Sequence, residues 1–152
     1  MAYEFKTIRR VEFSETDMAG IMHYSNYFRF METAEHAFFR SLGLSIINSG
    51  EPPVGWPRVH AHCDYKSPLR FEDEVEIHLL VSEKKSKALS YIFKFHKVNT
   101  KPPLLVAHGG LTVVCVSHLP DGRMTACSMP KIVSDKIQIA PPELLRIHEK
   151  KP

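Results

Sequence analysis

Residues 15–32 read E-T-D-M-A-G-I-M-H-Y-S-N-Y-F-R-F-M-E, an acidic, turn-prone segment that runs directly into an amphipathic helix. Asp17 and Gly20 lie in the turn, and the helix opens around Tyr24 to Asn26. A carboxylate is thereby placed near a helix N-terminus, where unpaired N–H groups and the positive dipole end favour negative charge. Over residues 25–42, Tyr27, Phe30, Met31, Ala34, Phe38 and Leu42 recur at three- and four-residue intervals, one apolar stripe. Ser25 or Asn26 is the expected N-cap, and Gly43 stands where a helix often stops.

The flanking sequence reads as strands. Residues 5–13 are rich in β-formers and roughly alternate. After a loop over 48–57, Val59, Ala61, Cys63 and Tyr65 alternate with polar neighbours. So do Val75, Ile77, Leu79 and Val81, and then Leu89, Tyr91, Phe93 and Phe95. Residues 83–87 read as a hairpin turn and 99–103 as a loop. The run 104–116 is almost wholly apolar, which predicts burial on both faces. Pro120, Asp121 and Gly122 supply turn chemistry after it, and a short helix is expected at 142–148 in the tail. The order is strand, long helix, four strands. One helix cannot cover both faces of such a sheet, so a partner subunit is expected to cover an edge or face.

Bulk properties fit one domain over residues 1–152, with a core at about 3–135 and a tail at 136–152. The apolar fraction is 43% and the charged fraction 24%, as in ordinary globular proteins. A formal charge of +3 does not argue for nucleic acid. Cys63, Cys115 and Cys127 form no C-x-x-C pair, which speaks against a disulfide framework or zinc ribbon. Neither an apolar leader nor a membrane span is read, so the expected setting is the reduced cytoplasm.

The order of elements, with T-D-M-A-G-I-M-H-Y-S-N-Y-F-R-F-M-E, resembles the hotdog-fold acyl-CoA thioesterases of the 4-hydroxybenzoyl-CoA thioesterase and YbgC-like branch. The matching positions are Asp17, Gly20, Tyr24, Asn26 and Tyr27. The segment C-D-Y-K-S-P-L at 63–69, with Asp73, Glu74 and Val75, resembles the family's second strand and following turn. The resemblance covers roughly residues 3–135. It implies an α+β domain, a five-stranded antiparallel sheet wrapped around one long central helix. It also implies a homodimer or homotetramer with active sites at the dimer interface, and hydrolysis of an acyl-CoA or aroyl-CoA without a cofactor or metal, CoA being part of the substrate.

The same resemblance makes Asp17 the nucleophile or general base and the Tyr24 backbone N–H the oxyanion donor. An aspartate of ordinary pKa, about 3.9, is ionised at neutral pH. Gly20 is read as a backbone device beside it. His23, Phe28 and Glu32 are candidate substrate contacts, with structural roles as the alternative reading, and Phe39 is read with Phe28 as pocket or interface. Lys84, Lys85, Lys87 and Arg123 are candidates for the CoA phosphates, although charged hairpin tips are commonly just solvated. His60, His62, His78 and His96 share neighbouring strands without zinc-like spacing. Two other readings stay open: a hotdog hydratase or dehydratase, and a non-catalytic thioester-binding or interaction module.

Overall fold

In the computed structural model, which describes residues 1–47 and 49–147, Tyr27, Phe30, Met31, Ala34 and Phe38 are the buried face of α1 (Ser25–Ser41). This face packs on a sheet of β1 (Glu4–Arg10), β2 (Arg58–Tyr65), β3 (Glu74–Lys84), β4 (Ala88–Lys97) and β5 (Leu104–Val114). The spatial order is β1-β3-β4-β5-β2, and every neighbouring pair is antiparallel. Val75, Ile77, Leu79 and Val81 of β3, with Leu89, Tyr91, Phe93 and Phe95 of β4, form the buried inner face. Their period-two alternation is what points them all at the helix. The expected α+β architecture, five antiparallel strands around one long helix, is the hotdog fold and is present.

Close approach of helix and sheet is decided at Gly109 of β5. A Cβ there would collide with the His62 carbonyl oxygen and fall 2.6 Å from Met31 Cε. Only glycine lets β2, β5 and α1 meet at this point. The outer face of the sheet is less fully covered. There Lys94 Nζ donates to the carbonyls of Leu144 and Arg146, drawing the tail across β4. A short hairpin, β6 (Val116–His118) and β7 (Met124–Ala126), follows β5, and α2 (Lys131–Ser134) and α3 (Pro142–Leu145) complete the described chain. No described helix is long and apolar enough to cross a membrane.

Several sequence expectations are corrected. The first strand ends at Arg10, because Val11 turns into a 3₁₀ turn at Phe13–Glu15 closed by reciprocal Glu12 and Glu15 capping. The helix N-cap is Tyr24, with no side-chain cap of its own, rather than Ser25 or Asn26. The run 104–116 is two strands, and its outer-facing Leu105, His108, Thr112 and Val114 are only half-buried. Phe39 is wholly buried in this chain's own core, edge-on to Trp56 at 5.8 Å, and so is neither pocket wall nor subunit contact. The helix expected at 142–148 ends at Leu145; His148 and the residues after it, like Asn48 in the loop, lie outside the described residues.

One polar cluster lies under the edge strand. Glu35, fully buried on α1, pairs with Arg58 at the start of β2, beside the buried Tyr91. Burial raises the Glu35 carboxyl above its ordinary 4.5, and Arg58 opposes that shift. A raised carboxyl binds its proton more tightly folded than unfolded, so its stabilising effect is full at low pH and is lost as pH rises past 4.5. Arg58→Ala therefore destabilises the fold by about 3 kcal/mol at neutral pH, the lower end for breaking a buried pair. The loss is smaller at pH 5 than at pH 8, as urea denaturation at the two values will show.

Candidate active site

The acidic turn is closed by its own backbone. Asp17 N–H donates to the Ile21 carbonyl at 3.0 Å and Gly20 N–H to the Asp17 carbonyl at 2.9 Å, with Gly20 at φ +78°. That left-handed conformation is the reason a glycine stands here. The Ala19 N–H donates to Asp17 Oδ1 at 2.8 Å, which holds the carboxylate in one orientation. The loop is then tied to the helix. The Glu15 carbonyl accepts from both His23 N–H and Asn26 Nδ2 at 2.8 Å, and Met22 N–H donates to the Leu69 carbonyl at 2.7 Å.

This arrangement leaves an open donor. Ser25 N–H turns to His23 Nδ1 at 3.3 Å, while Tyr24 N–H has no acceptor among the described residues. The Tyr24 carbonyl accepts from Tyr65 Oη at 3.1 Å, so the edge strand β2 grips the helix start. Asp17 and Tyr24 line one cavity of about 400 Å³, walled by Met22, Tyr27, Tyr65 and Pro68 and bordered by Lys66. Burial pushes the Tyr27 and Tyr65 hydroxyls up to about 12 and the Cys63 thiol to about 11, so all three stay neutral at ordinary pH. On its other side Asp17 borders a second hollow, lined by Phe13, Met18 and Phe71. A mostly apolar cleft with one carboxylate and one main-chain donor is equipped to attack or hydrate a polarised carbonyl.

Of the residues named from the sequence, Asp17 and Tyr24 share the 400 Å³ cavity, and Gly20 lines the second hollow beside Asp17. The structure does not bring the other named residues to the cavity. His23 stacks on the Tyr24 ring at 4.3 Å, with Nδ1 beside Ser25 Oγ, and supports the helix start from outside. Phe28 is half-buried against the core. Glu32 is exposed and pairs with His36 one turn on. Lys84 spends its ammonium on the carbonyls of Ser134 and Ile137, Lys85 pairs with Glu83, and Arg123 with Asp121. Lys87 is exposed in the same hairpin. That hairpin is at the far end of β3 from the Asp17 turn, eleven residues or roughly 35 Å along the strand. Within one chain these cations lie outside the cavity.

Tyr65 and Lys66, within the C-D-Y-K-S-P-L segment, also line the cavity and are not legible as site residues from the sequence. Strand alternation is a local pattern and does not encode that β2 ends against the helix start. The histidines His60, His62, His78 and His96 all face outward on the sheet, and among the described residues no group of three or more His, Cys, Asp or Glu is arranged to hold a metal.

Residues 11–141 match the model of the thioesterase-like superfamily. An Aquifex aeolicus (strain VF5) protein provisionally named an esterase is 37% identical over 130 residues, 86% of this chain and 94% of that protein. A 1,4-dihydroxy-2-naphthoyl-CoA hydrolase of Synechococcus sp. (strain CC9902) is 28% identical, covering 86% of this chain and 87% of its own. The solved structure of a gentisyl-coenzyme A thioesterase superposes with a TM-score of 0.73 at 31% identity, over 86% of this chain and 99% of that one.

At Gly20 an added Cβ meets nothing closer than Arg70 Nη1 at 3.9 Å, so the positive φ alone sets the cost. Gly20→Ala is expected to lower stability by about 1–2 kcal/mol while the fold is kept, and Gly20→Asn by less. Thermal denaturation of the two variants checks the order.

Proposed function

The chain belongs to the thioesterase-like superfamily and is a thioester-hydrolysing enzyme; we propose that it cleaves an aroyl-CoA to the free acid and CoA, with Asp17 as the reacting carboxylate. The observation that carries the reading is the shared cavity, lined by Asp17, whose carboxylate is held by the Ala19 N–H, and by Tyr24, whose N–H has no acceptor among the described residues. A thioester has little resonance protection, so two things are needed: an oxygen nucleophile in position and a donor for the oxyanion.

In this reading the thioester carbonyl oxygen takes its hydrogen bond from Tyr24 N–H. The Tyr65 hydroxyl, by holding the Tyr24 carbonyl, keeps that donor aimed. The free oxygen of Asp17 either attacks the carbonyl carbon, giving an anhydride that water then opens, or takes a proton from an attacking water. In both routes the CoA thiolate leaves and the acid is released. The Tyr24, Tyr27 and Tyr65 walls offer flat, apolar surface to an aromatic acyl group. The dihydroxynaphthoyl and gentisyl specificities of the two relatives support that class. Lys66 at the cavity rim is the nearest cationic candidate for the CoA side.

The assembly belongs to the proposal. Strand β2 is a sheet edge with Val59 61% and Tyr65 45% exposed. A second copy along this edge would bury those apolar groups and place the cavity at the subunit boundary. Light scattering should give two or four chains per particle; a monomer at micromolar concentration would remove this part.

Asp17→Asn is expected to leave a folded protein of unchanged assembly with thiol release from aroyl-CoA lowered about 10²–10⁴-fold. Turnover at the parent rate would overturn the role of Asp17. Across a panel of benzoyl-, hydroxybenzoyl-, short- and long-chain acyl-CoAs, kcat/KM should be highest for the aromatic members. Tyr65→Phe should lower kcat by up to about tenfold with little change in KM, because it loosens a donor used in the transition state.

A further inference from the structure

Two of the three cysteines, distant from the cavity, have been brought face to face. Cys115 lies between β5 and β6 and Cys127 just after β7, so they stand opposite each other at the open end of the hairpin, one step beyond the Val116–Ala126 pair. Cys127 N–H donates to the Cys115 carbonyl at 2.9 Å, and the two Sγ atoms are 3.5 Å apart with both thiols free. Opposed antiparallel residues hold their Cβ atoms about 4.5–5.5 Å apart, whereas a disulfide needs about 3.5–4.5 Å. The adjustment is therefore on the order of 1 Å, small for a hairpin of three-residue strands.

We propose that Cys115 and Cys127 are a dithiol modification site that a hydroperoxide closes to a disulfide. Cys127, half-exposed, meets the oxidant first. Its sulfur attacks the terminal peroxide oxygen, the O–O bond breaks, and an alcohol (water from hydrogen peroxide) leaves behind a sulfenic acid. The Cys115 sulfur then attacks the Cys127 sulfur, the S–O bond breaks, and the hydroxyl leaves with the Cys115 proton as water. Two thiols lose two electrons and the peroxide gains them.

The surroundings fix this order. Cys115 is fully buried, and burial pushes its thiol up to about 12, so it is a poor first nucleophile but is held within reach of a sulfenic neighbour. The bond would staple more than the hairpin. Cys115 N–H is bonded to the Lys87 carbonyl, Met129 N–H to the Ser86 carbonyl, and Val116 exchanges two hydrogen bonds with Gly55. The β3–β4 turn, the 49–57 loop and the start of the tail all converge on this point. Cys63, on the edge strand β2, has no cysteine neighbour in the chain and stays outside the reaction.

The test treats the reduced full-length protein with an equimolar amount of hydrogen peroxide. Free thiols counted in denaturant should fall from the three of the sequence to one. The intact mass should drop by two hydrogens, and digestion should give a Cys115–Cys127 linked peptide that dithiothreitol releases. The thermal midpoint should rise by several degrees, because the unfolded chain is now closed into a loop. Cys127→Ser should lose both the linked peptide and the thermal shift, while Cys63→Ser keeps them. Retention of all three thiols, a Cys63-linked pair of chains, or Cys127 accumulating as sulfinic acid would each overturn the proposal.

Discussion

A single helix must cover the inner face of a five-stranded sheet, and the close fit of α1 to that face is the constraint on which the rest depends. The buried side chains of α1 meet those of β3 and β4 in one continuous core. At β5 a Cβ on Gly109 would stand 2.6 Å from Met31 Cε of the helix and would collide with the His62 carbonyl of β2. The apolar stripe of α1 sets which face of the helix turns to the strands. Where the helix begins is then decided by packing along its whole length.

The site is a consequence of that seating. Once the helix is placed, its first residues are presented to the 15–23 loop and to the end of β2. The Glu15 carbonyl serves two donors, His23 N–H and the Asn26 amide, and so joins the loop and the first helical turn into one rigid unit. Asp17 is aimed by an N–H two residues away rather than by a distant partner. The Tyr65 hydroxyl reaches the Tyr24 carbonyl only because β2 ends beside the helix start. Helix N-termini usually satisfy their amides with a Ser, Thr, Asp or Asn cap. Here the N-cap is a tyrosine without a capping bond, and the N–H groups of Asn26 and Tyr27 turn instead to the carbonyls of His23 and Tyr24.

The two ends of the sheet are specialised differently. One end carries the carboxylate, three tyrosines and two hollows. The other gathers turns, the cysteine pair and several main-chain bonds from remote segments, with Lys84 holding the tail by two carbonyls. Of the cations that look available in the sequence, Lys84 is structural and Lys85 and Arg123 are paired locally. Glu35 and Arg58 fasten the edge strand to the helix through an ion pair that burial makes sensitive to proton uptake.

The sequence by itself determined the long helix and the five main strands, the apolar stripe of α1, the alternating inner faces of β3 and β4 and the turn carrying Asp17 and Gly20. Each of these is written in local periodicity or in the conformational needs of a single residue, and the resemblance to thioesterases rested on the same short stretches. Only the tertiary structure decided that Tyr65 and Lys66 border the cavity, that Phe39 belongs to the core, and that Glu32, Lys84 and Arg123 lie away from it. It also decided that Cys115 and Cys127 face each other. These are pairings between residues distant in the chain or on different faces of one element, and they depend on strand order, register and helix rotation, which no local pattern encodes.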